Sequence, residues 1–383
     1  MKIAFDGQLF LKGNKTGIAW YAHNIVKELS KISDNDCICN YFSKVTWSDK
    51  EGELKDRYKG IEMQSCTFFD NVLYKMVWPF IPIPYRLFFK KKADVTLFFN
   101  YALPPGVKGK KVVVVYDMAY KTCPATVRKK TRYWLNLMLR QSCRRADLIV
   151  TISEFSKSEI IKYLGIPEER IIIIPCGVDK ERFHTNYTIE SINNCMKKYG
   201  IKEGYLLYLG TLEPRKNIDN IIKAYALLKN RRKISEKIPQ LVLAGGKGWY
   251  YESIFELVKK LQLEKNIIFT GYVSEEEVPL LMSGAHVFVF PSLYEGFGMP
   301  PLEAMACGTP VVTSNAASLP EVVGDAGICV DPFDVEQIAS NVERLLYDED
   351  EYKRFRKEGL RRVEQFDWHK IALRFNEKLK DLV

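Results

Sequence analysis

Short apolar runs alternate with amphipathic stretches along the whole chain. Ten runs rich in β-branched or aromatic residues read as buried strands, and the apolar positions between them recur every three or four residues, as in helices. The runs are Ile3–Phe5, Val95–Phe99, Val112–Tyr116, Leu148–Ile152, Ile171–Ile174, Tyr205–Leu209, Leu241–Ala244, Ile267–Thr270, Val287–Phe290 and Val311–Thr313. Such alternation predicts parallel sheets with helices on both faces. Two sets of five strands therefore predict an α/β fold of two Rossmann-like, doubly wound domains.

A domain boundary is predicted near residues 175–183, where proline and glycine end a strand and polar residues follow. We expect a first domain over residues 1–175, a second over 176–365, and a final segment over 366–383. Ligands of open α/β sheets bind beyond the carboxyl ends of the strands, so the two domains are expected to face each other across a cleft. The predicted helices are Thr16–Ser30, Arg128–Arg145, Asn217–Leu228 with Asn217 as the N-cap, Tyr251–Leu261, Val335–Leu346 and Trp368–Leu382.

Composition narrows the class of protein. The 383 residues are 47% apolar and 27% charged, which is typical of a globular chain. Nine cysteines without a Cys-x-x-Cys pair favour reduced thiols, and four dispersed histidines disfavour a histidine-based metal site. The amino terminus lacks the features of a signal peptide, and no apolar stretch reaches the ~18 residues of a membrane span. We therefore expect a cytoplasmic enzyme.

Charge is uneven along the chain. The net charge is +10, of which residues 1–175 carry +12 and the remainder −2. Within the basic half, Val72–Phe89 and Arg128–Arg145 mix cations with apolar residues, so either stretch could rest on an anionic lipid surface. The alternative is a basic helix that packs its apolar side into the core. Nucleic acid is the weaker interpretation, because no recognition motif accompanies the charge.

The most informative segment follows the predicted strand Val287–Phe290. Glu295 falls in the loop at the carboxyl end of this strand, and Gly296 and Gly298 allow the backbone to turn sharply.

A helix is predicted after this loop, because Pro300 and Pro301 suit its first positions. Glu303 would lie in the first turn, facing the same crevice as Glu295. Free N–H groups and the helix dipole make such a start an anion site. Two carboxylates beside a phosphate cradle suggest a ligand with hydroxyls and phosphates, such as a nucleotide sugar.

Several segments together resemble one known family. They are Gly13–Ile18, Thr151–Ser156, Tyr208–Asn217, Thr270–Glu275, Tyr294–Glu303 continued by Cys307–Val311, Leu319–Asp325 and Phe366–Trp368. In this order they resemble the retaining glycosyltransferases of the two-Rossmann-domain (GT-B) type, the group of bacterial mannosyltransferases and glycogen synthases. The resemblance implies acceptor binding by the first domain, donor binding by the second, and a final helix that crosses back to the first.

The resemblance also implies roles for the cations and carboxylates. Lys216 and Arg215 would hold the diphosphate, although a solvated basic pair is the alternative, and Thr211 stands where many relatives carry arginine. Glu303 would accept from the ribose hydroxyls or serve only as a helix-dipole partner. Glu295 would lie near the donor sugar or be a solvated loop carboxylate.

Further contacts are expected from backbone groups and from the first domain. The backbone of Gly296, Phe297, Gly298, Met299 and Leu302 would meet the donor, and Tyr272 and Val273 would contact its base.

In the first domain, Gly17 would let backbone approach phosphate, although a plain turn is nearly as plausible. Asp117 would orient the acceptor hydroxyl. The preceding Tyr116 replaces a histidine common in relatives, and it cannot serve as a base near neutrality; it could equally just end a strand.

No essential metal or other cofactor is expected. The acidic pairs Asp34-Asn-Asp36 and Asp348-Glu-Asp350 lie in polar stretches rather than at strand ends, so we interpret both as solvated turns.

The sequence therefore predicts a retaining glycosyltransferase that moves a hexose, with mannose from GDP-mannose favoured, to a polysaccharide or lipid-linked oligosaccharide. A UDP-hexose or dTDP-rhamnose donor stays open. The rivals are a sugar-nucleotide epimerase of the same architecture and a non-catalytic nucleotide-binding relative.

Overall fold

The structure is a computed structural model, and it describes residues 1–11, 17–42, 52, 54–56, 58, 60–231, 238–249 and 251–383. The chain divides into two compact units. The first unit comprises Met1–Cys176 and Trp368–Val383, and the second comprises Gly177–Asp367.

The first unit is built on a seven-stranded sheet in the order β3-β2-β1-β4-β5-β6-β7, in which all neighbours run parallel. Its strands are β1 Lys2–Asp6, β2 Asp36–Phe42, β3 Glu62–Cys66, β4 Val95–Phe98, β5 Lys110–Val114, β6 Leu148–Thr151 and β7 Ile171–Ile173. Its α-helices in the described residues are α1 Gly17–Ser30, α2 Asn71–Val77, α3 Ala119–Thr122, α4 Lys129–Arg145, α5 Glu154–Leu164 and, at the end of the chain, α14 Trp368–Leu382.

The second unit has a six-stranded parallel sheet in the order β10-β9-β8-β11-β12-β13. Its strands are β8 Leu206–Leu209, β9 Leu241–Ala244, β10 Ile267–Gly271, β11 Val287–Phe290, β12 Val311–Ser314 and β13 Ile328–Val330. Its described α-helices are α6 Ile189–Tyr199, α7 Ile218–Arg231, α8 Glu252–Lys260, α9 Val278–Gly284, α10 Met299–Ala306, α11 Leu319–Val323, α12 Val335–Tyr347 and α13 Glu349–Val363.

The predicted fold class of two Rossmann-like parallel sheets is confirmed, but the count of five strands in each was wrong. Three strands were missed: β2, β3 and β13. β3 lies at a sheet edge and is largely polar, and β13, at an edge of the other sheet, has only three residues. β2 is buried, yet cysteines and Asn40 interrupt its apolar run. Each therefore lacks the continuous hydrophobic signal of a central parallel strand.

The last helix, α14, packs on α1 in the first unit. Its buried apolar side chains are Trp368, Ile371, Ala372, Phe375 and Leu379. The Trp368 ring lies edge-on to Tyr21 at 5.8 Å, and Asn35 Nδ2 donates to Asn376 Oδ1 at 2.9 Å. The predicted amphipathic face is thus the one that α14 buries. No helix in the described part of the chain is long and apolar enough to cross a membrane.

We expect Phe375→Ala to destabilise the first unit by ~3–5 kcal/mol, because it removes a fully buried ring and leaves a cavity. Urea unfolding followed by circular dichroism measures the change. Leu373→Ala on the same helix is the matched control, since Leu373 is 40% exposed and should tolerate truncation. Equal losses for the two variants would show that α14 does not depend on this buried face.

Candidate active site

Two neighbouring loops of the second unit bring most of the predicted donor-site residues together. One follows β8 and closes in a 3₁₀ turn at Pro214–Lys216, and the other runs from β11 to α10. Because β8 and β11 are adjacent parallel strands, their carboxyl ends meet at the same edge of the sheet. The amide of Leu293 donates to the Arg215 carbonyl at 2.9 Å, which joins the loops directly.

Asn217 occupies the predicted N-cap position, where its carbonyl accepts from the Ile221 amide, and its side chain fixes the first loop. It has a left-handed φ of 58°, and helix α7 begins after it at Ile218. Its side-chain amide donates to the carbonyls of Pro291 at 3.0 Å and Pro332 at 2.6 Å. Asparagine tolerates this backbone conformation better than most residues, so it can end the turn while it ties together two distant loops.

A buried cluster of charges lies where the loops meet. Lys216 Nζ is 2.6 Å from Glu295 Oε1, and Arg215 Nη1 is 2.9 Å from Glu295 Oε2. Arg215 also binds Glu213 Oε1 through Nη2 at 2.7 Å. Lys216 and Glu295 are each only 9% exposed, so neither the solvated basic pair nor the solvated loop carboxylate describes this site.

Burial and pairing oppose each other in setting the protonation of this cluster. Burial favours the neutral acid at Glu295, but the ammonium of Lys216 and the guanidinium of Arg215 outweigh it and lower the pKa of Glu295 to about 2. Burial lowers the pKa of Lys216 despite the opposing effect of Glu295. At neutral pH, Glu295 is therefore an ionised carboxylate held by two cations.

The turn between β11 and α10 depends on Gly298 and Ser318. Gly298 has a φ of 120°, and an added Cβ would lie 2.6 Å from Leu319 Cδ2. The hydroxyl of Ser318 is fully buried, 2.9 Å from the Glu295 carbonyl and 2.7 Å from the Phe297 carbonyl. Sequence reasoning missed Ser318, because no local pattern marks a hydrogen bond between segments so far apart.

Glu303 lies elsewhere on this loop–helix unit than predicted. Helix α10 begins at Met299, so Glu303 is its fifth residue and not part of the first turn. Pro300 and Pro301 lack N–H groups, so the expected amide-rich helix start offers chiefly the amides of Gly298 and Met299. The position of Glu303 and the small number of amides at the helix start both follow from a helix that begins directly after Gly298.

Burial raises the pKa of Glu303 to about 7; Arg182 opposes this shift and Asp179 adds to it. Arg182 also donates to the Glu275 carbonyl at 2.8 Å, at the end of the predicted base-contacting loop. Sequence reasoning used the Asp179–Arg182 segment only as a domain boundary. The alternating charges of this segment, just after a proline–glycine turn, were the only sequence feature that could have marked it as part of the site.

The remaining predicted donor residues of the second unit differ in accessibility. Tyr272 is 66% exposed, whereas Val273 is buried. Leu302 is fully buried, so its side chain belongs to the core. Phe297 is also buried and lies edge-on to Phe366 at 5.9 Å. Thr211 is exposed.

The loop that contains Thr211 rests on a glycine run that the sequence reasoning did not use. The Leu212 amide donates to the Gly246 carbonyl, and the Gly248 amide donates back to the Leu212 carbonyl, each at 3.0 Å. A Cβ on Gly245 would overlap the Gly210 carbonyl, so glycine is required for this close approach.

The donor-site and acceptor-site candidates of the first unit are Gly17 and Asp117. Gly17 is the exposed first residue of α1, and residues 13–16 of the predicted loop Gly13–Ile18 lie outside the described residues. Asp117 Oδ1 accepts from the Ala119 amide at 3.0 Å.

Tyr116 is a buried residue of the first unit. Its ring lies edge-on to Tyr21 at 5.4 Å and to Tyr101 at 5.6 Å. Burial raises the pKa of Tyr116 well above its ordinary value, so the phenol stays neutral.

One aspartate of each acidic pair has a partner of its own. Asp348 caps α13 by accepting from the Glu351 amide at 3.0 Å, and Asp34 pairs with Lys380 at 3.3 Å. Asp36 begins β2. Within the described ranges, no three acidic, histidine or cysteine side chains are grouped to hold a metal ion.

Comparisons with known proteins agree with this architecture. The family model "Glycosyl transferases group 1" matches residues 191–362, and "Glycosyltransferase Family 4" matches residues 16–182. The chain is 39% identical over 275 residues to O-antigen chain mannosyltransferase B of Escherichia coli, covering 70% of this chain and 69% of that protein.

Solved structures share the fold at low sequence identity. Sucrose-phosphate synthase from Thermosynechococcus elongatus matches with a TM-score of 0.75 at 19% identity, over 100% of this chain and 99% of that one. Anabaena HepE, solved in complex with UDP and glucose, matches with a TM-score of 0.73 at 19% identity, over 100% of both chains.

We expect Glu295→Gln to destabilise the protein at pH 7 by ~3 kcal/mol, because it leaves two buried cations with Glu213 alone. The pKa of Glu295 is lowered in the folded state. Its pairing therefore stabilises the fold above the ordinary carboxyl pKa of 4.5, and this stability is lost as pH falls toward about 2. The difference between the variant and the unsubstituted protein should therefore shrink in acid.

Urea unfolding at neutral and acidic pH measures this difference. Glu349→Gln is the control, because that carboxylate pairs with Lys353 while 77% exposed and should matter little. An equal loss at both pH values would contradict the electrostatic explanation.

Proposed function

Because the chain belongs to the family of glycosyl transferases group 1, we propose that it is a retaining glycosyltransferase that moves mannose from GDP-mannose to a cell-surface glycan acceptor. The acceptor would be a growing polysaccharide or a lipid-linked oligosaccharide. The observation that carries the proposal is the buried cluster of Arg215, Lys216 and Glu295 at the carboxyl ends of two adjacent strands. It offers two fixed cations where a nucleotide ligand of such a sheet would bind.

Glycosyl transfer requires cations beside the departing diphosphate. As the bond between the anomeric carbon and the diphosphate oxygen breaks, negative charge accumulates on the leaving phosphate. Lys216 and Arg215 would stabilise that charge, because cations already fixed in a water-poor site need no reorganisation. No general acid is needed, since the diphosphate is already a good leaving group.

The proposed transfer retains configuration by attack on the face from which the diphosphate departs. The acceptor oxygen bonds to the anomeric carbon, and its proton passes to the departing phosphate oxygen. Glu295 would accept from the sugar hydroxyls and stabilise positive charge on the ring. A product of inverted anomeric configuration would contradict this mechanism.

Mannose is favoured because O-antigen chain mannosyltransferase B is the named activity of a relative that shares 39% identity. A UDP-hexose donor is the second candidate, supported by the UDP and glucose of the Anabaena structure, and dTDP-rhamnose is the third. A sugar-nucleotide epimerase would turn over the donor without an acceptor. A non-catalytic relative would release no nucleoside diphosphate even when an acceptor is present.

The proposal includes three further expectations. Transfer would need no essential metal, because two protein cations would serve the diphosphate and one aspartate of each acidic pair has another partner. The protein acts in the cytoplasm. It binds peripherally to an anionic membrane surface through its basic first unit, where a lipid-linked acceptor would be found.

We expect GDP to raise the melting temperature more than UDP or dTDP, because a ligand that binds only the folded state stabilises it by ~2.7 kcal/mol at a hundred times its Kd. A thermal-shift panel of the three diphosphates measures this. Lys216→Met should lose most of the shift, whereas the exposed Lys353→Met should keep it. A larger shift with UDP or dTDP would reassign the donor, and no shift with any of them would overturn the proposed nucleotide site.

We expect GDP affinity to rise about tenfold between roughly pH 6 and pH 8, because only ionised Glu303 accepts from both ribose hydroxyls and its pKa is about 7. Isothermal titration calorimetry across this range measures the change. Glu303→Gln should weaken binding at pH 8 and flatten the profile. The phosphates of GDP titrate alike with both proteins, so an unchanged profile in the variant would remove Glu303 from the ribose site.

A further inference from the structure

One short segment of the first unit carries half of the large exposed hydrophobic side chains of the described chain. Fourteen large hydrophobic side chains of the described residues are exposed, and seven of them fall within residues 68–87. They are Phe68, Val72, Leu73, Met76, Phe80, Ile81 and Leu87. Such a concentration of exposed apolar side chains in one segment indicates an interaction surface.

The exposed side chains stand on a well-packed support. Beneath them the Tyr74 and Phe88 rings lie 4.9 Å apart, and both contact Phe42. The Tyr74 hydroxyl donates to the Ile83 carbonyl at 3.2 Å. The segment is therefore folded around a buried aromatic cluster, and its exposed side chains are not the by-product of a missing core.

Helix α2 has one buried side and one exposed apolar side. Asp70 caps it by accepting from the Val72 amide at 2.7 Å and the Leu73 amide at 3.0 Å. Tyr74 is buried, whereas Met76 is 62% exposed. An apolar outer face on a helix that already buries its inner face calls for a second apolar environment.

The charges of residues 68–92 indicate the kind of apolar environment that this segment would contact. Residues 68–92 contain five lysines or arginines against one aspartate, and that aspartate is the helix cap. Lys91 pairs with Glu62, and Lys75 interacts with Asp6. Arg86, Lys90 and Lys92 are exposed on the same segment as the apolar side chains.

We propose that residues 68–92 form a docking surface for an anionic lipid bilayer, in which the seven apolar side chains insert at the headgroup boundary and Arg86, Lys90 and Lys92 meet the lipid phosphates. A second copy of the chain is disfavoured as the occupant, because a symmetric contact would place the same cations near one another. Apolar insertion with flanking cations is the pattern of interfacial membrane binding. This inference deepens the proposed membrane association and does not depend on the transfer reaction.

Vesicle sedimentation of the full-length protein tests it without any turnover measurement. We expect binding to vesicles that contain phosphatidylglycerol and little binding to vesicles of phosphatidylcholine alone. The double variant Phe80→Ser with Ile81→Ser should bind anionic vesicles roughly tenfold less tightly. The control pair, Ile189→Ser with Phe333→Ser, replaces equally exposed side chains of the second unit (76% and 72%) and should bind normally.

The charge contribution is measured with Lys90→Gln and Lys92→Gln, which should each weaken anionic binding about fivefold. Lys353→Gln and Lys357→Gln, exposed in the second unit, are the matched controls. Circular dichroism checks that every variant is folded.

Either of two results would overturn the inference. One is vesicle binding that the Phe80 and Ile81 substitutions leave unchanged. The other is a concentration-dependent dimer, seen by analytical ultracentrifugation, which those substitutions abolish while no vesicle binding is found; this would assign the surface to a second copy. GDP binding should be unaffected in all variants, so failure here leaves the transfer proposal standing.

Discussion

The contact between Lys216 and Glu295 is the constraint on which the candidate site depends. Buried charges are tolerated only when they are paired at hydrogen-bond distance, and here one carboxylate satisfies two cations. The two loops must therefore keep a fixed spacing. Neutral hydrogen bonds maintain it: the amide of Asn217 bridges two loop carbonyls, and the hydroxyl of Ser318 supports the backbone around Glu295. The charge cluster and these bonds stabilise the same geometry.

Because both cations are already paired, a ligand that binds them must displace a protein carboxylate. Arg215 and Lys216 are balanced by Glu213 and Glu295, so the four-residue cluster is close to neutral before any ligand binds. Under the proposed function, an incoming diphosphate would compete with Glu295 for the cations. The exchange would turn Glu295 toward the hydroxyls of the donor, where the proposed mechanism requires it. Cations held in advance by a protein carboxylate also avoid the desolvation that binding would otherwise demand.

The sequence predicted what depends on periodicity and topology. Strong runs such as Val287–Phe290 became the expected strands, and the amphipathic Trp368–Leu382 became a helix with those bounds. Adjacency of Lys216 and Glu295 followed from their place beyond parallel strands. Their direct pairing did not, because the two residues are 79 positions apart and nothing local encodes the contact. The same holds for Ser318 and Arg182, whose partners lie on distant segments.

Glu295 and Glu303 illustrate how the environment gives two identical side chains different pKa values. Glu295 faces two cations, so it remains ionised far below neutrality, and its charge is committed before a ligand arrives. Glu303 lies eight residues later in a site where burial outweighs the attraction of Arg182, so its pKa rises to about 7. Under the proposed function, Glu295 would organise the cations that meet the diphosphate, and Glu303 would accept from the ribose hydroxyls.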